Sequence, residues 1–176
     1  GQTSKDIART LAMLGMPEAT FEIEVAEVGE LMATGCDKIR FMFSANKNMA
    51  PQPVEKIASG GEISRVMLAL KALLAKKAKL PTIIFDEIDT GVSGRIADAM
   101  GEIIESLSSN MQVVSITHLP QVASKGESHF VVYKQNSVTN IARLDAEQRV
   151  EEIAKMLSGS VISAAALEQA RLLLGK

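Results

Sequence analysis

Thr82-Ile-Ile-Phe-Asp-Glu-Ile-Asp-Thr-Gly-Val-Ser-Gly94 is an apolar run that stops abruptly at two adjacent carboxylates. Residues Thr82 to Phe85, mostly β-branched or aromatic, predict a fully buried strand, and Pro81 bars a helix from entering there. Asp86 and Glu87 then fall at the strand's carboxyl end, which in an open parallel sheet is the end where ligands bind. A carboxylate in that position suits a hydrated Mg²⁺, and the acid after it can polarise an attacking water. The plainer alternative is an acidic turn that caps the next helix.

Two further stretches bear on that choice. Ala58-Ser-Gly-Gly-Glu62 precedes the strand and opens a helix, with Ser59 as N-cap and Glu62 completing a capping box. Ile63, Val66, Met67, Leu70 and Leu74 follow on one apolar face, and Lys76 and Lys77 sit at the negative dipole end. A capping box needs no paired glycines, whereas Gly60 and Gly61 clear side chains from the helix entrance and leave N–H groups open to an anion. Ser115-Ile-Thr-His118 comes after the strand. There Met111 to Ile116 predicts a second buried parallel strand, which would bring His118 to the same sheet edge as Asp86 and Glu87.

Elsewhere the pattern alternates between periods. Residues Ser4 to Leu14 place Ile7, Leu11 and Leu14 on one helical face, ended by Gly15-Met-Pro17. Phe21, Ile23 and Val25 alternate with glutamates, while Ile39, Phe41 and Phe43 alternate with Lys38, Arg40 and Met42. An antiparallel pair joined by a Gly29 to Asp37 loop is expected. A helix capped by Ser93 is expected from about Arg95 to Leu107, a helical turn at Leu119 to Ser124, and a hairpin around Gln135-Asn-Ser137. Two amphipathic helices, about Ala146 to Leu157 and Ala164 to Leu174, flank Ser158-Gly-Ser160.

With 176 residues and a net charge of −2, the chain has the composition of a globular domain and no global basic field. No apolar run approaches a membrane span, and no signal peptide is expected from the opening residues. The single cysteine, Cys36, allows no internal disulfide and suits a reducing compartment. Tryptophan is absent, which disfavours a stacking platform for single-stranded nucleic acid.

Taken together, Ile57-Ala-Ser-Gly-Gly-Glu-Ile-Ser-Arg-Val-Met-Leu-Ala-Leu-Lys71, Phe85-Asp-Glu-Ile-Asp-Thr-Gly-Val-Ser-Gly94 and Thr117-His-Leu-Pro-Gln-Val-Ala123 resemble the ATPase heads of the SMC class, and within it the DNA-repair members. The resemblance implies an α/β fold over residues 1–176: the C-terminal lobe of an ABC-type P-loop ATPase head, a mostly parallel sheet flanked by helices, with antiparallel strand pairs. It implies that Ser59, Gly60, Gly61 and Glu62 form the signature motif that meets ATP held by the opposite head. By the same resemblance Asp86 organises Mg²⁺, Glu87 orients or deprotonates the attacking water, and His118 contacts the γ-phosphate. Counting from Asp86, Ser93 stands where transporters carry an aspartate in the loop that faces the nucleotide. The implied partners are a second head engaged through ATP, the N-terminal lobe of the same protein, and DNA, with no membrane, in a cytoplasmic, nucleoid-associated setting. No Gly-x-x-x-x-Gly-Lys-Ser/Thr loop occurs, so nothing in the sequence cradles the α and β phosphates. In the class it resembles, that loop lies on an N-terminal lobe beyond a long coiled coil, so the chain is expected to be a fragment whose nucleotide site is completed elsewhere. The nucleotide-binding subunit of a membrane transporter, or a non-catalytic structural lobe, are the rival readings.

Overall fold

Helix α1 (Gln2–Met13) buries Ile7 and Leu11, and Leu14 just beyond it, as its three-and-four spacing requires. Gly15, at φ 79°, turns the chain back into strand β1 (Thr20–Met32). Strand β1 pairs antiparallel with β2 (Gly35–Ser44), which puts Phe21 opposite Phe43, Ile23 opposite Phe41 and Glu24 opposite Arg40. The alternation therefore sorts the apolar residues to one face, and Phe21 and Phe43 join Ile7, Leu11, Met16, Ala19, Val66 and Ala69 in a core. The expected Gly29 to Asp37 loop is mostly strand: extended backbone continues to Met32 and resumes at Gly35, with a register irregularity between Glu27 and Met32. Extra residues on β1 over that interval bulge instead of leaving the sheet, which the loss of period two at Gly29 had disguised. A short β3 (Gln52–Pro53) pairs with β2, and a 3₁₀ turn leads toward α2 (Gly60–Ala78).

The structure is a computed structural model that describes every residue except Thr34, Ala58, Ser160 and Lys176, and only the backbone of Met32. Ala58 of the glycine motif and Ser160 of the linker between the last helices thus lie outside the described residues. Two compact units emerge. Gly1–Leu80 with Ile88–Val92 make the first, built from the elements above, and Pro81–Glu87 with Ser93–Lys176 make the second.

In the second unit β4 (Thr82–Asp86) and β5 (Gln112–Ile116) pair in parallel and in register, Ile84 opposite Val114 and Asp86 opposite Ile116. Helix α3 (Gly94–Ser108) connects them, buries Ala97, Met100, Ile103, Ile104 and Leu107, and packs on β5. The expectation of fully buried strands is corrected. Phe85 is completely covered, but Ile84, Val114 and Ile116 are 58%, 40% and 52% exposed, because they share the sheet face opposite to Phe85. A run of apolar residues records burial on both faces, and this chain covers one.

A four-residue helix α4 (Pro120–Ala123) precedes the hairpin of β6 (Phe130–Gln135) and β7 (Val138–Arg143). Asn136 and Ser137, at φ 50° and 64°, make the two-residue turn. Helices α5 (Ala146–Ser158) and α6 (Ala164–Leu173) close the unit around Val150, Ile153, Ala154, Ala166 and Ala170. Asp145 and Gln148 form a full capping box on α5, and Ser163 caps α6.

Candidate functional site

The parallel pairing of β4 with β5 places the three chemistry-bearing groups at one end of one sheet. Asp86 is the last residue of β4 and lies level with Ile116, the last of β5, while His118 follows Ile116 by two positions. The Glu87 N–H donates to the Ile116 carbonyl at 3.0 Å, which carries the pairing one residue past the strand. Glu87 does so at φ 45°, a left-handed conformation that costs a side-chain-bearing residue about 1 kcal/mol. Strain of that kind persists where the surroundings over-determine it, and here it falls on the second carboxylate of the pair. Asp86, Glu87 and His118 are all exposed. At the foot of the His118 loop, the Leu119 N–H donates to Thr117 Oγ1 at 3.0 Å, turning the chain into α4.

Among the described residues no group of three or more His, Cys, Asp and Glu side chains is disposed to hold a metal ion. An exposed carboxylate pair at a strand end fits a Mg²⁺ that takes its other ligands from water and phosphate, which is how that ion is usually held beside a nucleotide.

Ser59, Gly60, Gly61 and Glu62 belong to the other compact unit, at the start of α2. Ser59 caps the helix, its Oγ accepting from the Glu62 N–H at 3.4 Å, one arm of the expected capping box. The two glycines turn out to differ. A Cβ on Gly60 would meet nothing within 4 Å, so its missing side chain leaves open space at the positive end of a 19-residue helix. A Cβ on Gly61 would lie 2.7 Å from the Gly91 carbonyl oxygen, so there glycine is demanded by a close approach of backbone to backbone. Gly91 itself sits at φ 75°.

That contact belongs to a wider one. Ser64, one turn further along α2, donates its hydroxyl to the Thr90 carbonyl at 3.1 Å. Arg65 donates from Nε to the Gly61 carbonyl at 2.8 Å and from Nη1 to the Leu14 carbonyl at the end of α1, 3.2 Å away. Ile88, Asp89 and Val92 of the same loop are buried. The sequence singled out neither Ser64 nor Arg65 by chemistry; the available signal was the small-residue run Asp89-Thr-Gly-Val-Ser-Gly94, whose Gly91 makes the close approach.

Ser93 is the N-cap residue of α3, as expected, but its side chain makes no capping hydrogen bond. With φ −157° and ψ 169° it is fully extended and exposed, followed by Gly94 at φ 55°. The helix α2 buries Val66, Leu68, Ala69, Ala72 and Ala75, whereas Leu74, expected inward, is 59% exposed.

Comparison with solved structures gives the fold its class: it is that of SMC ATPase heads. A chain from a study of "ATP-driven dimerization and DNA stimulated activation of SMC ATPases" superposes with a TM-score of 0.64 at 16% identity, covering 90% of this chain and 93% of that one. By sequence the chain is similar to the C-terminal part of DNA repair proteins named RecN. It is 45% identical over 168 residues to the DNA repair protein RecN of Rickettsia bellii, covering 93% of this chain and 30% of that protein. It is 39% identical over 178 residues to RecN of Vibrio cholerae, covering 98% of this chain and 32% of that protein. The chain thus spans just under a third of the length of these curated relatives. No family model matches it.

Proposed function

We propose that the chain is the C-terminal lobe of the ATPase head of a DNA repair protein, and that ATP bound between two heads draws them together and releases them on hydrolysis. The observation that carries this reading is the convergence of Asp86, Glu87 and His118 at one end of the parallel pair, in a chain of RecN-like sequence and SMC-head fold. Asp86 would hold Mg²⁺, which when bound would screen phosphate charge. Glu87 orients or deprotonates the attacking water, and His118 contacts the γ-phosphate. Ser59, Gly60, Gly61 and Glu62 present the start of α2 to the triphosphate of the partner head, and Ser93 lines the loop that faces it. A triphosphate held between two such surfaces bridges both, and losing its γ-phosphate removes the bridge.

The N-terminal lobe of the same protein supplies the phosphate-cradling loop, and the open face carrying Ile84, Val114 and Ile116 supports a covering segment from outside this chain. DNA engagement belongs to the whole protein, which we place in the cytoplasm at the nucleoid. No described helix is long and apolar enough to cross a membrane. The RecN match favours this reading over the transporter subunit. In the full-length protein, Glu87→Gln should retain ATP binding and prolong head engagement while hydrolysis falls by about 10² or more, the usual scale for loss of a general base. Turnover at the parental rate would remove Glu87 from the role.

A further inference from the structure

We propose that Ser64 is a positioning residue for hydrolysis, acting through a clasp between the first turns of α2 and the loop Ile88–Val92 that leaves Glu87. This rests on the reading of Glu87 given above. The clasp has two parts: the Ser64 hydroxyl bonded to the Thr90 carbonyl at 3.1 Å, and Gly61 and Gly91 so close that a Cβ on Gly61 would lie 2.7 Å from the Gly91 oxygen. Both parts hold the loop by its backbone, so they fix its path whatever its side chains do. Ile88 follows Glu87 directly, and Glu87 is held at φ 45° with its N–H on Ile116. One side of the strained residue is therefore tied to the sheet by its own N–H, and the other continues into a loop tied to α2.

A left-handed glutamate relaxes toward ordinary backbone when either restraint is released, and its carboxylate then swings with it. The close approach to Gly91 is thus a reason of its own for glycine at position 61, whereas Gly60 has open space around it.

The test uses steady-state ATP hydrolysis by the full-length protein. Ser64→Ala removes the hydroxyl and favours the helix, so a defect cannot come from melting α2. It should lower kcat about tenfold, the scale of one ordinary hydrogen bond, with KM for ATP within about twofold of the parent. Ser64→Thr, which keeps the hydroxyl, should restore most of the rate. In a Glu87→Gln background, Ser64→Ala should slow the residual turnover no further, because its effect passes through Glu87. A parental kcat for Ser64→Ala, a defect in KM alone, or the same tenfold loss without Glu87 would each overturn the proposal. Parental turnover by Glu87→Gln would instead remove the reading of Glu87 itself, so the two failures are distinguishable.

Discussion

Glu87 and Ser59 show how differently two exposed residues at helix and strand ends are held. Ser59 makes an ordinary cap through a 3.4 Å hydrogen bond, so Ser59→Ala should cost about 0.5–1 kcal/mol of stability, read from denaturant melts of the isolated chain. Any much larger loss of ATP turnover in the full-length protein would then report ligand contact and not folding. Among the described residues His129 is the one ionisable group pushed clearly off its ordinary value. Burial disfavours its charged form first, the Arg149 guanidinium adds to that, and Glu152 opposes both. Its Nδ1 is buried with no hydrogen-bond partner among the described residues. A lowered pKa in the folded state means that the neutral form is favoured by folding. The stability it contributes is therefore complete above the unfolded value of 6.5 and is lost as pH falls through that value toward the folded one. His129→Gln should flatten the decline in stability between neutral and mildly acidic pH; an unchanged slope would place its cause elsewhere.

Elements were legible where one physical cause set them. Period two with opposed charges gave the β1–β2 pair, and Glu24 does face Arg40. The apolar stripe of α3 and the turn at Asn136-Ser137 were equally plain, although Ile96 is half-buried where Ala97 is fully so. What could not be read was burial that depends on neighbours. Ile84 and Ile116 look like core from their chemistry, yet which face is covered is decided by elements distant in sequence. Ser64 was hidden for the same reason, since its hydrogen bond spans 26 residues. The parallel pairing of β4 and β5 was expected from their sequence, though not its register, which sets Asp86 level with Ile116, two residues before His118. Two element-scale substitutions probe this. Ser137 holds φ 64°, so Ser137→Gly should stabilise the hairpin by about 0.5–1 kcal/mol by relieving a conformation glycine tolerates, measured as a higher denaturation midpoint. Leu11→Ala should cost about 2–5 kcal/mol, because Leu11 is wholly buried among Ile7, Phe21 and Phe43.

At the scale of the whole molecule, the chain carries the Asp86–Glu87 carboxylate pair, His118 and an open helix entrance, and its sequence contains no Gly-x-x-x-x-Gly-Lys-Ser/Thr stretch. On the function proposed above, Asp86 and Glu87 by themselves repel a nucleotide, and the phosphate charge is offset by backbone N–H groups and a lysine of the N-terminal lobe. The central claim is that this lobe is one part of a composite ATP site. Its most direct test is calorimetric titration of the 176-residue chain with ATP and Mg²⁺, repeated after adding the N-terminal lobe, with phosphate release followed on mixing. The chain alone should give no binding at ~micromolar concentration and no hydrolysis, and the added lobe should restore both. Binding with a Kd of ~1 μM by the chain alone would contradict the claim, because the phosphates would then have a complete cradle within these residues.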